Sequence, residues 1–268
     1  MRAGKLKTRR YKVRRHGRGW LFLLLLAAAA VIWFYQAGRL PLPLLLSPAP
    51  GLTPEEGQRD ERTVSLPGGV WYALQLGAFP QEEPAKALSD SYRARGAGGY
   101  ILGKYQVLAA AYASRADAQA VQSQLRALHS VETVVTEISW PEITLHLTGQ
   151  RAQLTALTDA WDALSKAAEH LSSLSRSLDN REKDAAAVRA ALSSETDTLS
   201  ALQRQLESRF GGSAPGPVRD VISQLSRLSA ALREALSARS ETLLGAQVKY
   251  SQLLCLDGLA AYAATLAP

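Results

Sequence analysis

Between Val70 and Trp140 the chain repeats its own pattern at a spacing of 33 residues, and this restricts the available folds more than any other feature. Tyr72, Leu74, Leu76 and Phe79 recur as Tyr105, Val107, Ala109 and Tyr112, and Ala85, Ala87, Leu88 and Tyr92 recur as Ala118, Ala120, Val121 and Leu125. Two units are too few for a solenoid, so they predict one pseudo-symmetric domain. Each unit opens with apolar residues at a period of two, as a half-buried strand requires, and continues at helical spacing. Ser114 followed by Asp117 predicts the start of the second helix, while Gly96, Gly98 and Gly99 predict the end of the first and a short strand around Tyr100 to Leu102. Val131 to Trp140 supplies the last strand. The expected fold is α+β: βαββαβ over residues 70–141, with a four-stranded antiparallel sheet, two helices on one face and the other face open.

Strand alternation places Trp71, Ala73, Gln75 and Gly77 on that open face, beside Lys104, Gln106 and Leu108 and, from the last strand, Val135 and Glu137. A sugar chain is recognised by amides that both donate and accept, next to flat apolar surface, and this set offers both. The bland alternative is that Gln75 is an ordinary exposed strand residue and Trp71 covers a sheet edge.

The run Trp71-Tyr72-Ala73-Leu74-Gln75-Leu76-Gly77-Ala78-Phe79, an Ala-rich helix, and then Tyr105-Gln106-Val107 through Tyr112-Ala113-Ser114-Arg115-Ala116-Asp117-Ala118 resemble the SPOR domain over about 70 of the 268 residues. The resemblance implies the same βαββαβ fold and binding of peptidoglycan glycan strands lacking stem peptides, in bacterial division or sporulation proteins that are usually single-pass. It places Gln75 where the family has a glycan-contacting glutamine. Ala78 stands in place of a frequent serine, Gln106 in place of an arginine, and Ala110-Ala111 in place of Gly-Pro. The ligand-binding residues implied together by alternation and resemblance are Trp71, Gln75, Lys104, Gln106, Leu108 and Val135.

The regions flanking this domain differ in composition. Nine of the 31 Lys and Arg residues lie within Met1 to Arg18, which has no acid, leaving 22 bases against 24 acids in the remainder. The net charge of +7 is therefore a property of the tail, and no clustered basic face exists to bind nucleic acid. Trp20 to Tyr35 is sixteen consecutive apolar residues, which Gly19 and Gln36 to Gly38 extend to about the length a bilayer core needs, with Trp and Tyr at the ends. The span is predicted over 19–38, with the basic tail 1–18 cytoplasmic and the remainder outside the bacterial cytoplasmic membrane. A cleaved signal peptide is the competing reading; the apolar run continues through Val31, Ile32 and Trp33, and bulky Tyr35 stands where a cleavage site needs a small residue, which favours a retained anchor. Residues 39–69, with Pro41, Pro43, Pro48, Pro50, Pro54 and Pro67, read as an extended spacer.

After Pro141, Ile143, Leu145 and Leu147 alternate with polar residues and predict one more strand. From Gln150 the period becomes helical: Leu154, Leu157, Trp161, Leu164, Ala168 and Leu171, then Val188 to Leu206, then, after Gly211 to Pro217, Val218 to about Ala264 with a break near Gly245. Residues 142–268 are expected to form an antiparallel helical bundle, whose stripes either bury one another or form a coiled coil with a protein partner. The single cysteine, Cys255, sits among leucines and reads as a buried structural thiol. His16, His129, His146 and His170 lie in different elements without metal-ligand spacing, and no phosphate loop or nucleophile elbow accompanies them, so neither metal, cofactor nor catalysis is expected. The sequence thus points to non-catalytic glycan binding by a membrane-anchored module, with an envelope scaffold that contacts proteins as the alternative.

Overall fold

The computed structural model describes residues 59–266. The basic tail, the predicted span and most of the predicted spacer lie outside the described residues; among those described, no helix is long and apolar enough to cross a membrane.

The 33-residue repeat governs the middle of the fold. Strand β2 (Gly69–Ala78) leads into helix α1 (Glu82–Arg93), and β4 (Gln106–Tyr112) leads into α2 (Arg115–His129), so the two helices begin one repeat apart. Ala85 and Ala118, one repeat apart as well, are both fully buried. Ser114 caps α2 as its position predicts, its hydroxyl accepting from the backbone N–H of Ala116 at 3.1 Å. Strands β3 (Tyr100–Leu102) and β5 (Val134–Trp140) complete an antiparallel sheet of order β3-β4-β2-β5. The turn from α1 into β3 uses Gly96 at φ +96°, a conformation that side chains resist.

A strand β1 (Arg59–Leu66) occupies the end of the region expected to be spacer. It pairs antiparallel with β6 (Ile143–Gln150), Val64 opposite Leu145 and Leu66 opposite Ile143. The proline count concealed it: the last prolines, Pro54 and Pro67, leave a twelve-residue interval that supplies an unbroken ladder of donors. In β6 every second residue is half-buried, as the alternation of Ile143, Leu145 and Leu147 predicts.

Four helices follow: α3 (Arg151–Asp179), α4 (Ala185–Phe210), α5 (Gly216–Leu236) and α6 (Glu241–Leu266). Their short connections arrange them up and down, α3 and α5 both flanking α6. The break expected near Gly245 falls instead at Ser237 to Ser240, where the Ser240 hydroxyl accepts from Leu243 N–H; Gly245 is helical and buried.

Helix α6 also overturns the expectation of an open sheet face. From Leu244 to Leu256 every residue except Tyr250 is buried, so this helix has no solvent side for most of its length. It lies against β3, β4 and β5 on the face opposite α1 and α2. Residues 59–266 therefore stack as helices, sheet and helices, and one apolar core runs from Trp71, Ala73, Leu108 and Ile138 into Leu171, Leu232 and Leu256.

Candidate functional site

Directly paired residues of an antiparallel ladder share a face, so the register decides which side chains line the candidate binding face. Gln75 pairs with Leu108 in β4 and Val134 in β5, Ala73 with Ala111 and Thr136, and Trp71 with Ile138. Leu102 and Ala78 both pair with Gln106. This face thus carries Trp71, Ala73, Gln75, Leu108, Gln106, Val134 and Ile138. Val135 is not on it: it pairs with Leu74 and packs in the smaller core beneath α1 and α2. Glu137 pairs with Tyr72 and reaches Arg115 of α2, 3.8 Å away, so it also belongs to the α1/α2 face. The expected phase of the last strand was one residue out, because Val134 and Val135 are equally apolar and nothing local to them distinguishes inward from outward.

Along this face the site residues divide into two groups. Trp71 and Leu108 are 7 % and 0 % exposed and belong to the core shared with the bundle. Gln75 and Gln106 are half-exposed, and Lys104 is exposed in the turn between β3 and β4. Ala78 and Val134 beside them are exposed, Val134 at 61 %. The open part of the face is therefore its end near the β3–β4 turn, with two amides, one ammonium and a flat apolar patch.

Specific polar bonds hold α6 over the rest of the face. Gln252 Nε2 donates to the Ala111 carbonyl at 3.0 Å in a fully buried setting. Lys249 Nζ donates to the Gly96 carbonyl at 3.1 Å and to Asp179 at 2.7 Å. Arg93, in the last turn of α1, donates to Gln247 at 2.8 Å and stacks over the Tyr250 ring at 4.7 Å, reaching α6 around the edge of the sheet. Tyr100 donates to Asp257 at 2.6 Å and meets Tyr250 edge to face. Burial, and then the bond to the Asp257 carboxylate, push the Tyr100 hydroxyl far above the ordinary tyrosine range, so it stays a donor. A Cβ on Gly98 would meet the Ala109 carbonyl at 2.9 Å and Tyr250 N at 3.1 Å; only glycine leaves α6 room here.

Sequence reasoning missed Tyr100, Ala111 and Ile138 as contacts of the bundle. A signal was present: Val107 to Tyr112 are six consecutive apolar residues, all of them buried, and a run without polar alternation marks a strand covered on both faces. Cys255 is buried as expected, its thiol donating to the Leu164 carbonyl and raised to about 12 by burial. Among the described residues no group of three or more His, Cys, Asp or Glu is placed to hold a metal ion.

Residues 68–136 match the SPOR domain family, a match that begins just before β2 and ends inside β5. It covers about a quarter of the chain and includes both motifs on which the resemblance rests. No curated protein and no solved structure matches the chain.

Proposed function

We propose that this chain is a non-catalytic peptidoglycan-binding protein whose SPOR domain contacts glycan strands at the open end of its sheet. The observation that carries the reading is the accessibility of Gln75 and Gln106 within residues 68–136, which match a family of glycan-binding modules. Their amides both donate and accept, as sugar hydroxyls require, and Lys104, Ala78 and Val134 add a cation and flat apolar surface. Trp71 and Leu108 lie on the same face in the core shared with the bundle, where they hold the strand that carries Gln75. The apolar run at 20–35 anchors the chain with its basic tail inside and residues after 39 outside, and the role lies in division or sporulation. External protease on intact protoplasts should remove all that follows Arg39 and spare the tail.

A second reading is favoured by α6. A glycan strand needs several successive sugars seated, and the covered half of the face leaves fewer places for them. In that case the chain is an envelope scaffold, with the SPOR fold held inside a larger unit and the bundle contacting a protein.

Sedimentation of the full chain with amidase-treated peptidoglycan separates the two. Glycan binding predicts retention that Gln75→Ala weakens by about 1 to 2 kcal/mol, roughly tenfold, and that Gln106→Arg strengthens. Wild-type protein remaining in the supernatant would make the scaffold the better reading.

A further inference from the structure

The opposite side of the sheet carries a feature that glycan binding does not use. Helices α1 and α2 contact the strands but leave a gap between themselves, and a cleft of about 480 Å³ opens there. Its floor is Leu74, Leu76, Ala109 and Ala110, and Tyr92 and Leu125 form walls. The size and the apolar lining are those of a small-molecule site. Alanine at 109 and 110 is what keeps the floor low.

Arg95, Asp179 and Lys249 line one end, and His129, the last residue of α2, lines the cleft as well. Tyr112 is 8 % exposed and lines the cleft. Burial, then the charges of Asp179 and Asp117, hold its hydroxyl well above the ordinary tyrosine range, so it stays protonated and can donate. Beyond it the cleft runs into a second, open cavity of about 630 Å³, the two sharing Arg95, Gly96, Asp179 and Lys249. Asp179 is neutralised by Lys249, whereas Arg95, Arg181 and Lys183 form no salt bridge among the described residues. Two acids, Asp184 and Glu241, also line this mouth. Asp184 is committed to capping α4 through Ala187 N–H, and Glu241 lies in the first turn of α6, where the helix N-terminus favours its charge.

From this arrangement we propose that the cleft binds an amphiphile with one acyl chain and an anionic head. The chain lies on Leu74, Leu76 and Ala110 between the helices, and the head sits at the mouth, accepting from the Tyr112 hydroxyl and meeting the Arg95 and Arg181 guanidinium groups. A head of carboxylate or phosphate satisfies the same donors, so a free fatty acid and a lysophospholipid are the two sources. This site is independent of the glycan surface, which lies across the sheet.

The test is photolabelling of the full chain, held in nanodiscs of neutral phospholipid, with a diazirine-bearing long-chain fatty acid and mapping of the adducts. Adducts should fall on peptides carrying Leu76, Tyr92 and Leu125, and unlabelled fatty acid should compete. Arg95→Glu, on the exposed rim, should lower labelling about two- to fivefold, the worth of an exposed ion pair. Ala97→Phe, which fills the cleft from a loop, should lower it at least about tenfold; if that variant does not fold, Arg95→Glu and the competition still decide. The better competitor, fatty acid or phosphate-headed lysophospholipid, identifies the source. Equal labelling by the methyl ester overturns the anionic head. Adducts confined to residues 19–46, or scattered and not competed, overturn the site. Retention on peptidoglycan should be the same with and without fatty acid, so either proposal can fail alone.

Discussion

The two faces of the four-stranded sheet are closed by helices of opposite character. On one, α1 and α2 are amphipathic and mostly solvent-exposed; α1 buries only Ala85 and Ser89 and α2 only Ala118. They rest on β2 and β4, and the cleft remains between them. On the other, α6 is surrounded and carries Gln247, Lys249 and Gln252 into the interior, each with a hydrogen-bond partner. Buried polar groups cost stability unless paired, so these bonds fix one seating of α6 on the sheet. The loosely covered face leaves room for a small ligand, while the tightly covered one leaves only its end, at Gln75 and Gln106, for a large one.

Large-to-small substitutions should expose this contrast most strongly. Leu108→Ala, beneath α6, should cost about 3 to 5 kcal/mol, and Leu74→Ala, which already borders the cleft, about 2 to 3 kcal/mol by denaturant unfolding. Equal losses would mean that the cleft closes in solution.

Gln252→Leu, close to the native volume, removes the amide and leaves the Ala111 carbonyl short of one donor, at about 1 to 3 kcal/mol. A neutral result would show that α6 is held by apolar packing alone.

Alkaline pH provides a smaller and graded probe of the covered side. Cys255 and Tyr262 are raised from ordinary values of 9.0 and 10.0 to about 12, and Tyr100 is raised further, burial being the first cause in each. The folded state then holds protons that the unfolded chain has released. The stability these groups contribute is complete below pH 9 and falls as pH rises toward 12, with a slope of up to about 1.4 kcal/mol per pH unit for each group. Cys255→Ala should move the onset upward, toward the tyrosine range, in urea midpoints measured from pH 8 to 11 (about one pH unit at most).

The smallest effect on stability is expected where the sheet is open. Gln75→Ala should change unfolding by under about 0.5 kcal/mol, since Gln75 is only half-buried and substitutions away from the core rarely do more. A loss above 1 kcal/mol, checked by thermal melting, would mean that the Gln75 amide is structural and the open end is not a binding surface.

Local pattern in the sequence determined whatever depends on near neighbours along the chain. The 33-residue repeat carries the strand–helix order, the Ser114 cap and the equivalence of Ala85 and Ala118; the alternation at Ile143 to Leu147 carries β6. Those signals are legible because a strand or helix must show one apolar side at its own period. The phase of β5 was not legible, since Val134 and Val135 are both apolar and only pairing with β2 distinguishes them. Strand β1 was not either, because its ladder partner, Ile143 to Gln150, lies roughly eighty residues away along the chain. The covering of Trp71 and Leu108 by α6 was decided by the tertiary structure alone. Burial is a property of what arrives from elsewhere, and Leu108 reads the same whether water or α6 stands opposite.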